Sequence, residues 1–201
     1  MNNLNLSIEK IRCLRTSIEI SRDEIYCAGV FVPIKEVAND LQPDIGIRSF
    51  ATSVNKFSGG YEKLLKEDFD FTFGDDFLLI LHLIEKDDGD IYNCFASGEC
   101  TKEIGNIDIW ENLKSIIVQE AGTIDLIGMI DYKSALLKLI TKALPGFFKD
   151  LFIQVKRDDI LEVKRFTKNN LSEFADVSGG KTFLFKNIFA KYEVTLKLSI
   201  S

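Results

Sequence analysis

Alternation of apolar and polar residues dominates both ends of this chain. Leu4, Leu6 and Ile8 alternate with polar neighbours, and the apolar phase then shifts to Ile11 and Cys13. One extra residue turns every later side chain to the other face, which predicts a single strand bulged near Glu9-Lys10. Ser21-Arg22-Asp23-Glu24 reads as a polar turn, and Ile25–Pro33 as a strand apolar on both faces that ends at Pro33. Ile45–Phe57 reads as one or two strands closed by Ser58-Gly59-Gly60. Phe69, Phe71 and Phe73 alternate with Asp70 and Thr72. Phe77–Ile84 is the most hydrophobic run and stops at Glu85-Lys86-Asp87-Asp88-Gly89-Asp90, the pattern of a buried strand running into an acidic loop.

The period then changes. Asp108 can cap a helix with Trp110, Leu113, Ile116 and Ile117 on one face. A second helical stretch over Ile124–Leu144 carries Leu136, Leu139, Ile140 and Ala143 and ends at Pro145-Gly146. Strand patterns return at Ile153–Val155, Ile160–Phe166 and Thr182–Phe189. In the last strand Tyr192, Val194, Leu196, Leu198 and Ile200 share one face, and Glu193, Thr195, Lys197 and Ser199 the other. These elements predict a mostly β chain, α+β by content: an antiparallel β-sandwich over residues 1–201 as a single domain, with a helical hairpin inserted at about 106–146.

Composition sharpens this reading. Hydrophobic residues make up 46% of the 201 positions and charged residues 28%, ordinary globular usage, and 16 of the residues are Phe, which favours a β core. The net charge of −6 argues against duplex nucleic acid as a partner, because few counterions would be released from phosphates. No apolar run reaches the roughly 18 residues of a membrane span. The start, Met-Asn-Asn-Leu-Asn-Leu, lacks a signal-peptide pattern, so the expected location is cytoplasmic, with signal-less export the other route. Cys13, Cys27, Cys94 and Cys100 form no CxxC pair, and Cys13 and Cys27 fall in apolar strand patterns as small hydrophobes.

Catalytic signatures are weak. His82 is the sole histidine and lies inside Leu79–Ile84, the setting of a core histidine rather than a general base. Gly179-Gly180-Lys181-Thr182 resembles the end of a P-loop, yet Phe174 stands where the first glycine belongs and a strand pattern follows where a helix should. The expectation is therefore a non-enzymatic protein.

Acidic clusters offer the stronger chemistry. Asp23-Glu24 leads into one strand, Glu85, Asp87, Asp88 and Asp90 follow another, and Asp158-Asp159 leads into a third. Ca²⁺ takes about 6–8 oxygen ligands, usually from several loops, and a sandwich can bring such loops together at one end. The competing reading is solvated turns, since turns favour Asp and Gly and Arg22, Lys86 and Arg157 can neutralise them.

Leu4–Val32, an opening strand followed by Ser21-Arg22-Asp23-Glu24-Ile25-Tyr26 into the next, resembles the start of a C2 domain. Leu78–Asp90 resembles the C2 strand that ends in an Asp-x-Asp loop, with Glu85, Asp87 and Asp88 in that place. The resemblance implies a C2-like sandwich with Ca²⁺ as cofactor and an unknown protein or a lipid headgroup as partner. The chain is also similar to small bacterial proteins of unassigned function. That likeness rests on Ile11-Arg12-Cys13-Leu14-Arg15-Thr16, Leu83–Gly89, Asp158-Asp159 and Tyr192-Glu193-Val194. Two functions stand as expectations. The first is a binding module presenting acidic, Ca²⁺-holding loops. The second is a toxin-like or cargo protein of a bacterial secretion or injection system, acting through its amphipathic hairpin.

Overall fold

The computed structural model describes residues 1–16, 23–37, 40–43, 48–86, 91–97, 159–174 and 179–201. The expected helical insertion at 106–146 and the strand pattern at 153–155 lie outside these residues.

Among the described residues, ten strands make two antiparallel sheets. The first sheet has the order β6-β1-β10-β9, from β6 (Glu62–Phe73), β1 (Asn2–Arg15), β10 (Lys191–Ile200) and β9 (Lys181–Lys186). The second runs β3-β2-β7-β8, from β3 (Asp40–Pro43), β2 (Asp23–Val37), β7 (Asp76–Glu85) and β8 (Asp159–Thr167), with β4 (Arg48–Ala51) and β5 (Asn55–Phe57) also paired to β2. A short helix, α1 (Ile91–Ala96), and a 3-10 turn at Lys168–Glu173 complete the described elements.

Inward residues of both sheets form one core. Leu4, Leu6, Ile8, Ile11 and Cys13 of β1 join Tyr192, Val194, Leu196 and Leu198 of β10, and these meet Ile25, Cys27, Phe31, Leu79, Leu81 and Leu83 of the facing sheet. Face-to-face packing of this kind defines a β-sandwich. Phenylalanines fill the middle: Phe31 stacks on Phe71 at 4.5 Å and on Phe77 at 5.6 Å. Gly29 makes room for another ring. A Cβ there would lie 2.4 Å from Phe50 Cζ, and Phe50 packs on Phe69 at 4.5 Å.

The bulge expected near Glu9-Lys10 is present. Against β10 the pairing passes from Ile8–Leu196 to Lys10–Thr195, so Glu9 is the extra residue on β1, while against β6 the extra residue lies on β6. Across from it, Leu65 and Lys66 of β6 lie between the paired residues Leu64 and Glu67. Lys66 takes φ 52°, the left-handed geometry that such bulges use. This phase shift keeps Ile11 and Cys13 inside after Leu4, Leu6 and Ile8.

The structure differs from the sequence reading at several strand ends: β2 already begins at Asp23, where the sequence pattern places a turn, and β9 ends at Lys186 rather than Phe189. Pro33 does not end its strand: it pairs with Phe77, and β2 runs on to Val37. Proline lacks the N–H donor but keeps its carbonyl and an extended φ, so a strand can pass through it. Ile200 is 38% exposed, because the inward face runs out at the end of β10. The strict alternation of Phe71 and Phe73 and the two-sided burial of β7 follow the pattern read from the sequence.

Candidate functional site

The register of the six-stranded sheet decides where the acidic clusters meet. Ile25 of β2 pairs with Glu85 of β7, and Glu85 pairs in turn with Asp159 of β8. The Lys86 N–H donates to the Glu24 carbonyl at 2.7 Å. Asp23, Glu24, Glu85 and Asp159, far apart in the chain, therefore share one end of one sheet. Asp87, Asp88, Asp90 and Asp158 lie outside the described residues, as does the side chain of Asp159.

The described carboxylates have distinct surroundings. Asp23 is 2% exposed and lies on the inner face of β2 with Ile25 and Cys27. Its Oδ2 accepts the hydroxyl of Tyr192, a residue of the opposite sheet, at 2.5 Å. The bond is an internal clasp between the two sheets. Burial, followed by this bond to Asp23, raises the Tyr192 phenol far above its usual range. Cys13 lies beside it, hydrogen-bonded with Tyr192, and its thiol pKa is raised chiefly by burial.

Glu24 points to the other face and pairs with Lys56 at 2.9 Å, an exposed pair of the kind that contributes little to stability. Glu85 is buried and partnered. Among the described residues, no group of three or more His, Cys, Asp or Glu side chains is arranged to hold a metal ion. Asp23 thus serves as an acceptor within the core, a role the sequence reading missed. The available signal was Tyr192 itself, because a tyrosine on the apolar face of a strand needs a partner for its hydroxyl.

The same end carries α1 on the outer face of the sheet. Tyr92 meets Tyr26 edge-on at 5.1 Å, Lys86 lies over the Tyr92 ring, and Phe95 packs beside His82 at 6.3 Å. His82 is 1% exposed, and burial lowers its pKa to about 4. Gly179-Gly180 opens strand β9, as the departure from the P-loop pattern predicted.

A cavity of about 530 Å³ opens on the outer face of the four-stranded sheet. Asn5, Ser7 and Ser199 form part of its lining, with Leu171 and Phe174 among the apolar residues. Glu9 and Lys197 in its wall are paired with each other at 3.0 Å, so these two charges are matched. Among the described residues no helix is long and apolar enough to cross a membrane.

No protein-family model matches the sequence. No curated protein matches it either. Solved structures similar to this chain include a C2 domain of plant extended synaptotagmin 1, at 10% identity and a TM-score of 0.43, covering 98% of this chain and 94% of that one. Another is human GIVD cytosolic phospholipase A2 in complex with methyl gamma-linolenyl fluorophosphonate, at 11% identity and a TM-score of 0.40. This chain spans only 17% of the length of that phospholipase while 98% of it is covered.

Proposed function

We propose that this chain is a binding module rather than an enzyme, and that its acidic end takes Ca²⁺ and presents it to a protein or a lipid headgroup. One observation carries the reading: the Ile25–Glu85–Asp159 register gathers three separate acidic stretches at a single end of the six-stranded sheet. Asp87, Asp88 and Asp90 follow Glu85 in the chain, and Asp158 precedes Asp159. In the chain they adjoin the strand ends that this register brings together. A hard cation needs oxygen donors from more than one loop, and this register supplies the attachment points for them.

Asp23 and Glu24 are engaged by Tyr192 and Lys56, so the ligand set is drawn from the β7 and β8 side. The non-enzymatic reading is supported by His82, the one histidine of the chain, which is sealed in the sheet beside Phe95 and out of reach of a substrate. Thermal unfolding of chelator-stripped protein, with and without millimolar Ca²⁺, tests the proposal. Ca²⁺ at about 100 times its Kd would add about 2.7 kcal/mol and raise the melting temperature by several degrees. The variant Asp87→Asn with Asp88→Asn is expected to lose that rise. An unchanged melting temperature with Ca²⁺ would return the acidic end to solvated turns.

A further inference from the structure

Polar side chains cross the outer face of the four-stranded sheet in two adjacent rows. Ser7 of β1 pairs with Asp68 of β6 on one side and with Lys197 of β10 on the other. In the next row Asn5 pairs with Asp70 and with Ser199 in the same way. Neighbouring strands lie about 4.8 Å apart and alternate residues about 7 Å, so the rows make a patch of about 10 Å by 7 Å. The cavity of about 530 Å³ opens on this patch, and Leu171 and Phe174 bring an apolar side to it. That volume falls within the roughly 300–1,000 Å³ of small-molecule sites.

Ser7, in the middle of the first row, is only 6% exposed. It lines the cavity, yet its hydroxyl makes no hydrogen bond among the described residues. Buried hydroxyls are ordinarily satisfied, and one left open at a cavity wall is completed by what occupies the cavity. Other open groups converge beside it. Asn5 donates its amide N–H to Asp70 Oδ1 at 3.0 Å, which leaves its own carbonyl oxygen as an acceptor. The Ser199 hydroxyl and the Asp68 carboxylate, both exposed, have no partner among the described residues.

This set is rich in acceptors. The Asn5 carbonyl and the Asp68 carboxylate only accept, and the two hydroxyls both accept and donate. Such a set matches a ligand that brings several O–H donors of its own. Charge argues against an anion. Lys197 is held by Glu9 at 3.0 Å, and Lys181, next to Gly180 of the wall, pairs with Glu173. Asp68 is left as the unmatched charge, so the patch repels phosphates and carboxylates. No group of His, Cys, Asp or Glu side chains among the described residues is arranged to hold a metal there.

We propose that this cavity binds a neutral sugar. Its hydroxyls donate to Asn5 Oδ1 and Asp68 and exchange hydrogen bonds with Ser7 and Ser199, while a C–H face of the ring lies against Leu171 and Phe174. The site belongs to the other sheet from the one that gathers Glu85 and Asp159, and it stands independently of the Ca²⁺ reading.

Titration of the full chain in chelator with glucose, galactose, mannose, N-acetylglucosamine, maltose and lactose tests it, read by amide chemical shifts. Glucose 6-phosphate and inorganic phosphate are the anionic counterparts, and glycerol is the polyol without a ring. The expected result is a saturable shift of the Ser7, Lys197 and Ser199 amides with at least one neutral sugar, and none with phosphate or glycerol. Ser7→Ala is expected to weaken that binding about fivefold at an unchanged melting temperature, the loss of one hydrogen bond. Ser199→Phe, at an exposed position, is the second variant and is expected to abolish binding by filling the cavity, whether or not Ser7→Ala folds. Wild-type affinity in Ser199→Phe, or the lack of a saturable shift with every neutral sugar, overturns the proposal. Saturation of the same amides by inorganic phosphate overturns it as well and makes the cavity an anion site.

Discussion

Lowering the pH should destabilise this protein through His82, and the effect can be isolated because the chain has no other histidine. The imidazole is 1% exposed, between Ala28 and Val163 in the ladder. Its pKa falls from 6.5 to about 4, mainly because burial disfavours the charged ring, with Arg165 pushing the same way against a hydrogen bond to the Ala28 backbone. Above pH 6.5 both folded and unfolded chains keep the ring neutral, and His82 contributes no pH dependence. Below that value the unfolded chain takes up a proton that the folded chain refuses. Stability is therefore lost progressively until the folded-state pKa near 4 is passed. Between about pH 7 and about pH 5 the loss comes to about 2 kcal/mol, roughly 30-fold in the unfolding equilibrium. Urea unfolding at both pH values, on wild type and His82→Gln, measures it. The absolute stability of the variant is not the readout; the expected result is a variant whose midpoint falls less with pH, by about 1 M urea for an m-value near 2 kcal/mol/M. Equal falls in the two proteins would refute the reasoning and assign the acid sensitivity to carboxylates.

Two further predictions follow from the core. Tyr192→Phe removes the donor that joins the two sheets at Asp23, a carboxylate 2% exposed, and should cost about 2 kcal/mol in denaturant unfolding. In a double-mutant cycle with Asp23→Asn, strictly additive losses would show that the clasp contributes nothing. Gly29→Ala places a methyl 2.4 Å from Phe50 Cζ and 2.7 Å from the Ile80 carbonyl oxygen, and should cost about 1–3 kcal/mol through overpacking. Restored stability in Gly29→Ala with Phe50→Leu, checked by melting, would locate the strain at that ring.

The strand pattern was legible wherever one face of a strand is buried and the other is not. Leu4 to Cys13 revealed both the strand and its bulge, because the side-chain period of two makes a one-residue slip visible in the order of residues. Val194 to Leu198 and Phe69 to Phe73 were read for the same reason. The continuation of β2 beyond Pro33 was hidden, because local composition marks proline as a stop and only the pairing of Pro33 with Phe77 shows otherwise. The short helix α1 was missed, since six residues present too little periodicity to separate from a loop.

Of the acidic residues, the sequence identified the clusters but not their division of labour. Whether a carboxylate faces solvent or the gap between two sheets depends on a partner far away in the chain. Asp23 and Tyr192 are 169 residues apart and meet only when β2 and β10 take their places in opposite sheets. The sequence by itself determined the strands whose apolar pattern is strong, from Leu4 to Cys13, Ile25 to Pro33, Phe69 to Phe73, Phe77 to Ile84 and Tyr192 to Leu198, because that pattern follows from neighbours one or two positions away. The tertiary structure decided the pairing of Glu85 with Ile25 and Asp159 and the clasp at Asp23. Each of these depends on sheet order and register, which short-range pattern does not encode.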